Sequence, residues 1–304
     1  MKKIFITGGN GFLGKFLINF LKRKGYRIKS PSSKECDLFD DRSLKKYKQK
    51  YDYIFHLAAW TQAGDFCLKY PGDQWIKNQK INTNILTWWK DKQPQAKLIF
   101  IGTSCSYDEN GDFKESSYLK GDPIESLYTY AQTKRMLLNG AISLQKQFNL
   151  KWLCLVPSTL YGANYHDDGR QMHFIFDIIR KIILGKKKGY KVKLWGNGEQ
   201  KREIIHVNDF IECMYYLRNV KNQVINIGSK KEYSIKNFAK IICDCVGYDF
   251  GKIVFDKNKY VGSKGKKLNI TKIQKYIRDY KKNLTEEKEG IAEVIEWFIR
   301  NKKF

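Results

Sequence analysis

The chain has 304 residues, enough for one large core or for a core domain with a smaller lobe. Its 42% hydrophobic content excludes a disordered chain, and no apolar run approaches the ~20 residues of a membrane helix. The net charge of +26 invites a nucleic-acid reading, but Lys is spread along the whole chain, as in the products of AT-rich genomes. The densest run, Lys186-Lys187-Lys188, is short, and no RNA-binding signature accompanies it.

Met1-Lys2-Lys3 precedes only three apolar residues, too few for a signal-peptide core, so the expected compartment is the cytoplasm. Seven scattered cysteines include no Cys-x-x-Cys, which predicts free thiols and no metal site.

In chain order, Lys3–Thr7 is a predicted strand. Thr7-Gly8-Gly9-Asn10-Gly11-Phe12-Leu13-Gly14 then turns into a predicted helix, Lys15–Lys24. Gly8 suits the backbone of a tight turn, Gly11 lets a pyrophosphate reach the backbone, and Gly14 permits close helix packing on the sheet. The free N–H groups and the dipole of the helix N-terminus favour that anion. A glycine triplet between a strand and a helix is the setting of a dinucleotide site.

Further strands are expected at Arg27–Ser30, Tyr53–Leu57, Lys97–Gly102, Trp152–Val156 and Val224–Ile227. Helices are expected at Ser43–Lys50, Asp73–Lys90 and Tyr130–Phe148. This alternation predicts an α/β fold: a Rossmann-type, doubly wound parallel sheet with a smaller C-terminal α+β substrate lobe. Residues 1–170 form the expected dinucleotide-binding domain, with a returning segment at about 204–230. Residues 171–203 and 231–304 form the expected lobe, built from Met172–Gly185, Tyr190–Asn197, Ser234–Val246 and Asp256–Phe304. Leu57, Ala58 and Ala59 end one strand with small residues that let a cofactor lie close.

Tyr130-Ala131-Gln132-Thr133-Lys134 sets a phenol and an ammonium four apart on one helix face. The ammonium can lower the phenol pKa, and Lys134 can hold a cofactor ribose. Such a phenol can exchange a proton with a sugar oxygen. Thr103 ends a strand at the sheet edge where ligands of open α/β folds bind, and can hydrogen-bond the same oxygen.

The glycine triplet, the strand-end Thr and Tyr-x-x-x-Lys, in this order, resemble the extended short-chain dehydrogenase/reductases that act on nucleotide sugars. Gly102-Thr103-Ser104-Cys105-Ser106-Tyr107 resembles Gly-Ser-Ser-Cys-x-Tyr-Pro of the GDP-L-fucose synthase (epimerase-reductase) family. Pro157-Ser158-Thr159-Leu160-Tyr161-Gly162 is similar to that family's Pro-Thr-Asn-Leu-Tyr-Gly. Leu194–Gly198 and Arg202–Asp209 resemble its Trp-Gly-x-Gly and Arg-Glu-Phe-x-His-Val-Asp-Asp. His173 sits where the family carries a catalytic histidine before a helix. The likeness runs from residue 3 to about residue 300.

The resemblance implies Cys105 and His173 as the acid/base pair that inverts a carbon beside a ketone. It implies Tyr130 as proton donor to O4, with Thr103 or Ser104 orienting that oxygen. Arg202 would grip the diphosphate, helped by Lys181, with Trp195 lining the cleft and Lys267 continuing a basic loop. The cofactor would lie on Gly8, Asn10, Gly11, Phe12, Leu13 and Gly14, with Asp37 and Leu38 beside the adenine. Pro157, Thr159, Leu160 and His173 would close its nicotinamide end. His206, in a predicted turn, reads as structural.

The second strand ends in Ser30-Pro31-Ser32-Ser33-Lys34 with no carboxylate, which favours NADP(H) over NAD(H), since hydroxyls and Lys34 suit a 2′-phosphate. Asn10 and Ser33 stand where the family carries arginines. Asp108 follows Tyr107 in place of Pro, Thr61–Trp75 matches loosely, and the family's Asp after Lys266-Lys267 is missing. These departures predict a modified sugar, such as a 4-keto heptose or another deoxy sugar.

The expected partners are a nucleotide-diphosphate sugar, GDP-linked as the resemblance implies, and a second copy of the chain, packed through Asp73–Lys90 and Tyr130–Phe148 as in the family. No specific nucleic acid and no membrane are expected. The competing readings are a C4-reductase without epimerisation, an NAD-dependent nucleotide-sugar 4-epimerase, and a non-catalytic nucleic-acid binder. A 4,6-dehydratase would need Asp-Glu after Thr103, where Ser104-Cys105 stands.

Overall fold

The computed structural model describes residues 1–166, 168–259 and 265–301. Residues 260–264 and 302–304 of the expected lobe lie outside the described residues, as does the start of its basic loop.

In chain order the elements are β1 (Lys3–Thr7), α1 (Phe12–Arg23), β2 (Arg27–Lys29), α2 (Arg42–Lys45) and β3 (Tyr53–His56). Then come α3 (Phe66–Lys69), α4 (Pro71–Lys92), β4 (Lys97–Ile101), α5 (Tyr128–Phe148), β5 (Trp152–Pro157) and β6 (Thr159–Tyr161). They are followed by α6 (Phe174–Lys188), β7 (Val192–Trp195), β8 (Lys201–His206), α7 (Val207–Leu217) and β9 (Gln223–Ile227). The last are β10 (Glu232–Ser234), α8 (Ile235–Val246), β11 (Ile253–Asp256), α9 (Thr271–Gln274) and α10 (Glu287–Arg300).

The main sheet has the order β2-β1-β3-β4-β5-β9 with every pairing parallel. Parallel sheets need helices on both faces, so their strands read as continuous apolar runs. Leu98-Ile99-Phe100 and Leu153-Cys154-Leu155-Val156 are such runs, buried residue after residue. The α4 helix packs along α5 and α1 packs against α7. The strand order reverses between β1 and β3, which opens a crevice at the carboxyl edge.

A second apolar cluster forms between α6, α8 and α10, centred on Ile179, Ile182, Phe238, Ile242, Ile291 and Val294. It sits with the three-stranded sheet β10-β8-β6 and the pair β11-β7. The Val207–Leu217 segment returns as helix α7, and β9 supplies the sixth strand of the main sheet.

Two local expectations are corrected. The predicted helix Ser43–Lys50 stops at Lys45. Beyond it, Gln93 on the far side captures the carbonyls of Tyr47 and Gln49, at 3.4 and 2.8 Å, which a continuing helix would keep for itself. Gly14 serves the turn itself, since a Cβ there would lie 2.3 Å from the Gly8 carbonyl oxygen and 2.6 Å from Gly9 Cα. Both obstacles are backbone and cannot swing away. Gly14→Ala should therefore destabilise the protein by about 1–3 kcal/mol, as overpacked sites do. Urea unfolding measures this, and an unchanged midpoint would mean that the turn is not clamped by this contact.

Candidate active site

The glycine turn closes through Gly11 N–H donating to the Gly8 carbonyl at 3.0 Å. Gly8 takes φ +72°, and a Cβ there would come 2.7 Å from Ala58 N, so the turn lies directly against the end of β3. Thr7 Oγ1 joins the two strand ends, accepting from Ala58 N at 3.3 Å and lying 2.8 Å from His56 Nδ1. The N-terminus of α1 has no side-chain cap, so its first-turn N–H groups face outward past exposed Asn10 and Gly11. This cradle fits a pyrophosphate. Phe12 and Leu13 are half-buried against the core at its base.

Beyond β2, Ser33 and Lys34 are exposed. Ser32 is engaged: its N–H and hydroxyl donate to the Glu35 carboxylate at 2.8 and 2.9 Å. A carboxylate thus stands one residue beyond the segment that reads as free of them, and a 2′-phosphate would have to displace it from Ser32. Asp37 is exposed, and the Leu38 carbonyl accepts from Asn84 at 2.9 Å. Pro157, Thr159 and Leu160 lie where the chain leaves the main sheet at β5 and enters the small sheet at β6.

The β4 strand delivers Thr103 to the same edge in extended conformation. Its hydroxyl accepts from Cys105 N–H at 3.2 Å and lies near enough to Tyr130 to favour its ionised form. Ser104, Cys105 and Ser106 form one 3-10 turn. That turn is fixed to α5 by Arg135, whose Nε donates to the Ser106 carbonyl at 2.9 Å and whose other nitrogens reach Gly121 and Lys120. Arg135 had no sequence signal beyond lying next to Lys134.

Lys134 is buried, with Nζ 5.8 Å from the centre of the Tyr130 ring. The expectation that it lowers the Tyr130 pKa is corrected in this state of the site. Burial dominates and pushes the phenol up, with Cys105 and Cys67 adding to it and Thr103 opposing. Burial likewise pushes the Lys134 ammonium down, to about 8.

Cys105 is half-buried, and Lys266 Nζ lies 3.1 Å from its sulfur. Burial alone would raise the thiol pKa; Lys266, Thr103 and Arg202 outweigh it and hold the thiol below its usual range. Of the two adjacent lysines in this loop, Lys266 is the one on the sulfur, while Lys267, expected on the substrate side, is exposed. Adjacent lysines offer no pattern that would have separated them.

His173 is the N-cap of α6, exposed at the cleft. The protein around its ring, then His166 and Lys266, push its pKa down, so it is neutral at pH 7. Arg202 lies on β8 within electrostatic reach of Cys105. Lys181 and Trp195 form a separate pair, with Nζ 5.7 Å from the ring centre and 2.6 Å from Asp177. Buried His206 packs edge-on to Tyr161 at 5.3 Å and lies 3.3 Å from Glu293.

Residues 4–228 match the NAD dependent epimerase/dehydratase family, and the chain belongs to that family. This agrees with the resemblance to extended short-chain dehydrogenase/reductases read from the motifs. The chain is 29% identical to GDP-L-colitose synthase of Yersinia pseudotuberculosis, over 99% of both proteins. It is 25% identical to GDP-L-fucose synthase of Escherichia coli K12, over 99% of this chain and 97% of that one. Among solved structures it is similar to a GDP-mannoheptose C4 reductase from Campylobacter jejuni with NADP bound, with TM-score 0.84, 25% identity and 98% of both chains covered.

Behind the cleft, Glu203 on β8 is 2% exposed and accepts from Leu268 N–H at 2.9 Å and from Lys230 N–H. Burial, then Glu232 beside it, push its carboxyl up to about 7 against these bonds. A carboxyl raised from its usual 4.5 favours the folded state most at low pH, and that contribution is lost as pH climbs to 7. Glu203→Gln cannot ionise, so its stability relative to the wild type should rise by about 3 kcal/mol between pH 4.5 and 7.5. Urea unfolding at both pH values measures the difference; a constant gap would mean that Glu203 titrates normally.

Proposed function

We propose that the chain is an NADPH-dependent reductase of a GDP-linked 4-keto sugar that also epimerises it before reduction. The observation that carries this reading is that one cleft edge presents Thr103, Tyr130 and Lys134 together with a Cys105 sulfur held by a cation. Relatives named as GDP-L-colitose and GDP-L-fucose synthases, and a GDP-mannoheptose C4 reductase solved with NADP, support the substrate and cofactor classes.

When bound, NADPH supplies hydride to the C4 carbonyl carbon. Gly8, Asn10, Gly11, Phe12, Leu13 and Gly14 would hold its pyrophosphate, and Ser33 and Lys34 its 2′-phosphate. Tyr130 donates its proton to O4, and Thr103 orients that oxygen. A phenol of raised pKa keeps its proton until negative charge develops on O4, which suits a donor. Buried Lys134 stabilises the phenolate left behind.

Before reduction, a C–H next to the ketone is acidic enough for removal by a thiolate. Cys105 takes that proton, and His173 returns one to the opposite face. The incoming diphosphate raises the proton affinity of His173, which is neutral without it. Arg202 grips that diphosphate, where a guanidinium fits two oxygens at once, and Lys181, Trp195 and Lys267 line the nucleotide side. The departures at Asp108 and Thr61–Trp75 point to a modified sugar, and two copies of the chain pair through α4 and α5. The C4-reductase relative favours one second reading, reduction without epimerisation.

NADPH oxidation with GDP-4-keto-6-deoxymannose or a GDP-4-keto heptose in deuterated water tests both. Tyr130→Phe should lower turnover by about 10²-fold or more while NADPH still binds. Cys105→Ser should abolish deuterium entry at the carbons flanking the ketone. Oxidation by the wild type with no deuterium uptake would replace this reading by the simple reductase. No oxidation with any GDP-linked ketone would overturn both.

A further inference from the structure

Lys266 reaches Cys105 across 161 positions of chain, and the segment that carries it is held in an unusual way. Glu203 on β8 and Glu232 on β10 face each other directly in an antiparallel register. Each carboxylate takes one backbone N–H of the passing segment: Glu232 Oε1 accepts from Lys266 at 3.0 Å and Glu203 Oε2 from Leu268 at 2.9 Å. The two carboxylates thus grip alternate amides, much as a neighbouring strand would. Asn269 extends the attachment, donating to the Phe113 carbonyl at 3.2 Å and accepting from Asn226 Nδ2 at 3.0 Å. Gly265 leaves room for the grip, since a Cβ there would lie 3.1 Å from Glu232 Oε1. With its backbone fixed at residues 266, 268 and 269, the segment can aim one side chain at the turn after β4.

We propose that Lys266 is a positioning residue that holds the Cys105 sulfur as an anion by direct ammonium contact, and that Glu203 and Glu232 fix where Lys266 stands. The proposal rests on the epimerisation reading only for its use in the reaction; the contact itself is independent of the substrate. Other groups facing Cys105 are Arg202 on β8, Thr103 on its own turn, Cys67 on α3 and Tyr130 on α5, and His173 on α6 shares the field of Lys266. Lys266 places its cation at hydrogen-bond distance from the sulfur, 3.1 Å away. The other six cysteines are pushed up by burial, which makes Cys105 distinguishable by its reactivity.

The test is the pH dependence of Cys105 alkylation by iodoacetamide in the full chain, followed on the Cys105 peptide by mass spectrometry. In Lys266→Met the midpoint should move up by about one pH unit or more, as loss of an adjacent opposite charge does. Lys266→Arg should retain the wild-type midpoint, and Lys267→Met should leave it unchanged. Glu203→Gln keeps the volume but turns one acceptor into a donor, so it should shift the midpoint in the same direction by less. NADPH binding and a melting curve identify any variant that fails to fold, and Lys266→Gln then replaces Lys266→Met. An unchanged midpoint in folded Lys266→Met, or an equal shift in Lys267→Met, would overturn the proposal. Deuterium uptake by the wild type separates the two readings. A shifted midpoint without uptake sinks the epimerisation reading and leaves the Lys266 contact standing; uptake with an unshifted midpoint does the reverse.

Discussion

Parallel pairing forces every strand of the main sheet to end at the same edge, and the candidate site depends on that constraint. Thr7 lies opposite His56 in register, His56 opposite Phe100, Ile101 opposite Leu155 and Pro157 opposite Ile227. The glycine turn, Ala58, Thr103 and Pro157 are therefore delivered side by side from four separate stretches of chain. No side chain has to reach far, because the backbone hydrogen bonds have already aligned the strand ends. The reversal of strand order between β1 and β3 leaves the crevice into which these ends open.

Within the crevice, the ionisable groups are set by two opposed effects. Burial removes water and favours neutral forms, which raises the Tyr130 phenol and lowers the Lys134 ammonium. Cys105 departs from this trend because a cation touches it. Thr103 acts on both: it accepts from the Cys105 backbone N–H at 3.2 Å, and its hydroxyl favours the ionised forms of the thiol and the phenol. The two groups are thus shifted in opposite directions within one cleft, the phenol up and the thiol down. Glu203 contributes from behind: its carboxyl is costly to bury, and what it holds is the loop that brings Lys266 to the sulfur.

The parts of this arrangement that were legible in the sequence are the local ones. The strand Lys3–Thr7 and the glycine turn follow from nearest-neighbour chemistry, and Tyr130 with Lys134 from helical periodicity. Thr103 followed from its place at the end of an apolar run. The failures are of longer range. The Ser43–Lys50 helix has a fair local pattern, but Gln93 takes its carbonyls. That Lys266 meets Cys105 turned on where a loop 161 residues away runs, which no spacing records. Arg135 and Glu203 were hidden for the same reason, since their partners are backbone groups of distant turns. The direction of the Tyr130 shift was missed because periodicity places the ammonium but says nothing of how much water remains.

One aromatic cluster ties the two halves of the site together. Phe12, the first residue of α1, packs against both apolar cores. Its ring lies 5.2 Å from Tyr165 and 6.0 Å from Phe176, and those two stack at 3.8 Å with 7° between their planes. Phe176 is on the first turn of α6, three residues past His173, and Tyr165 is 6.4 Å from the His173 ring. The helix that follows the glycine turn and the helix that His173 caps thus bear on the same rings. Stacked and edge-on rings in a packed core resist sliding, because any displacement opens voids that the surrounding side chains cannot fill. The placement of the glycine turn relative to His173 is consequently set by core packing.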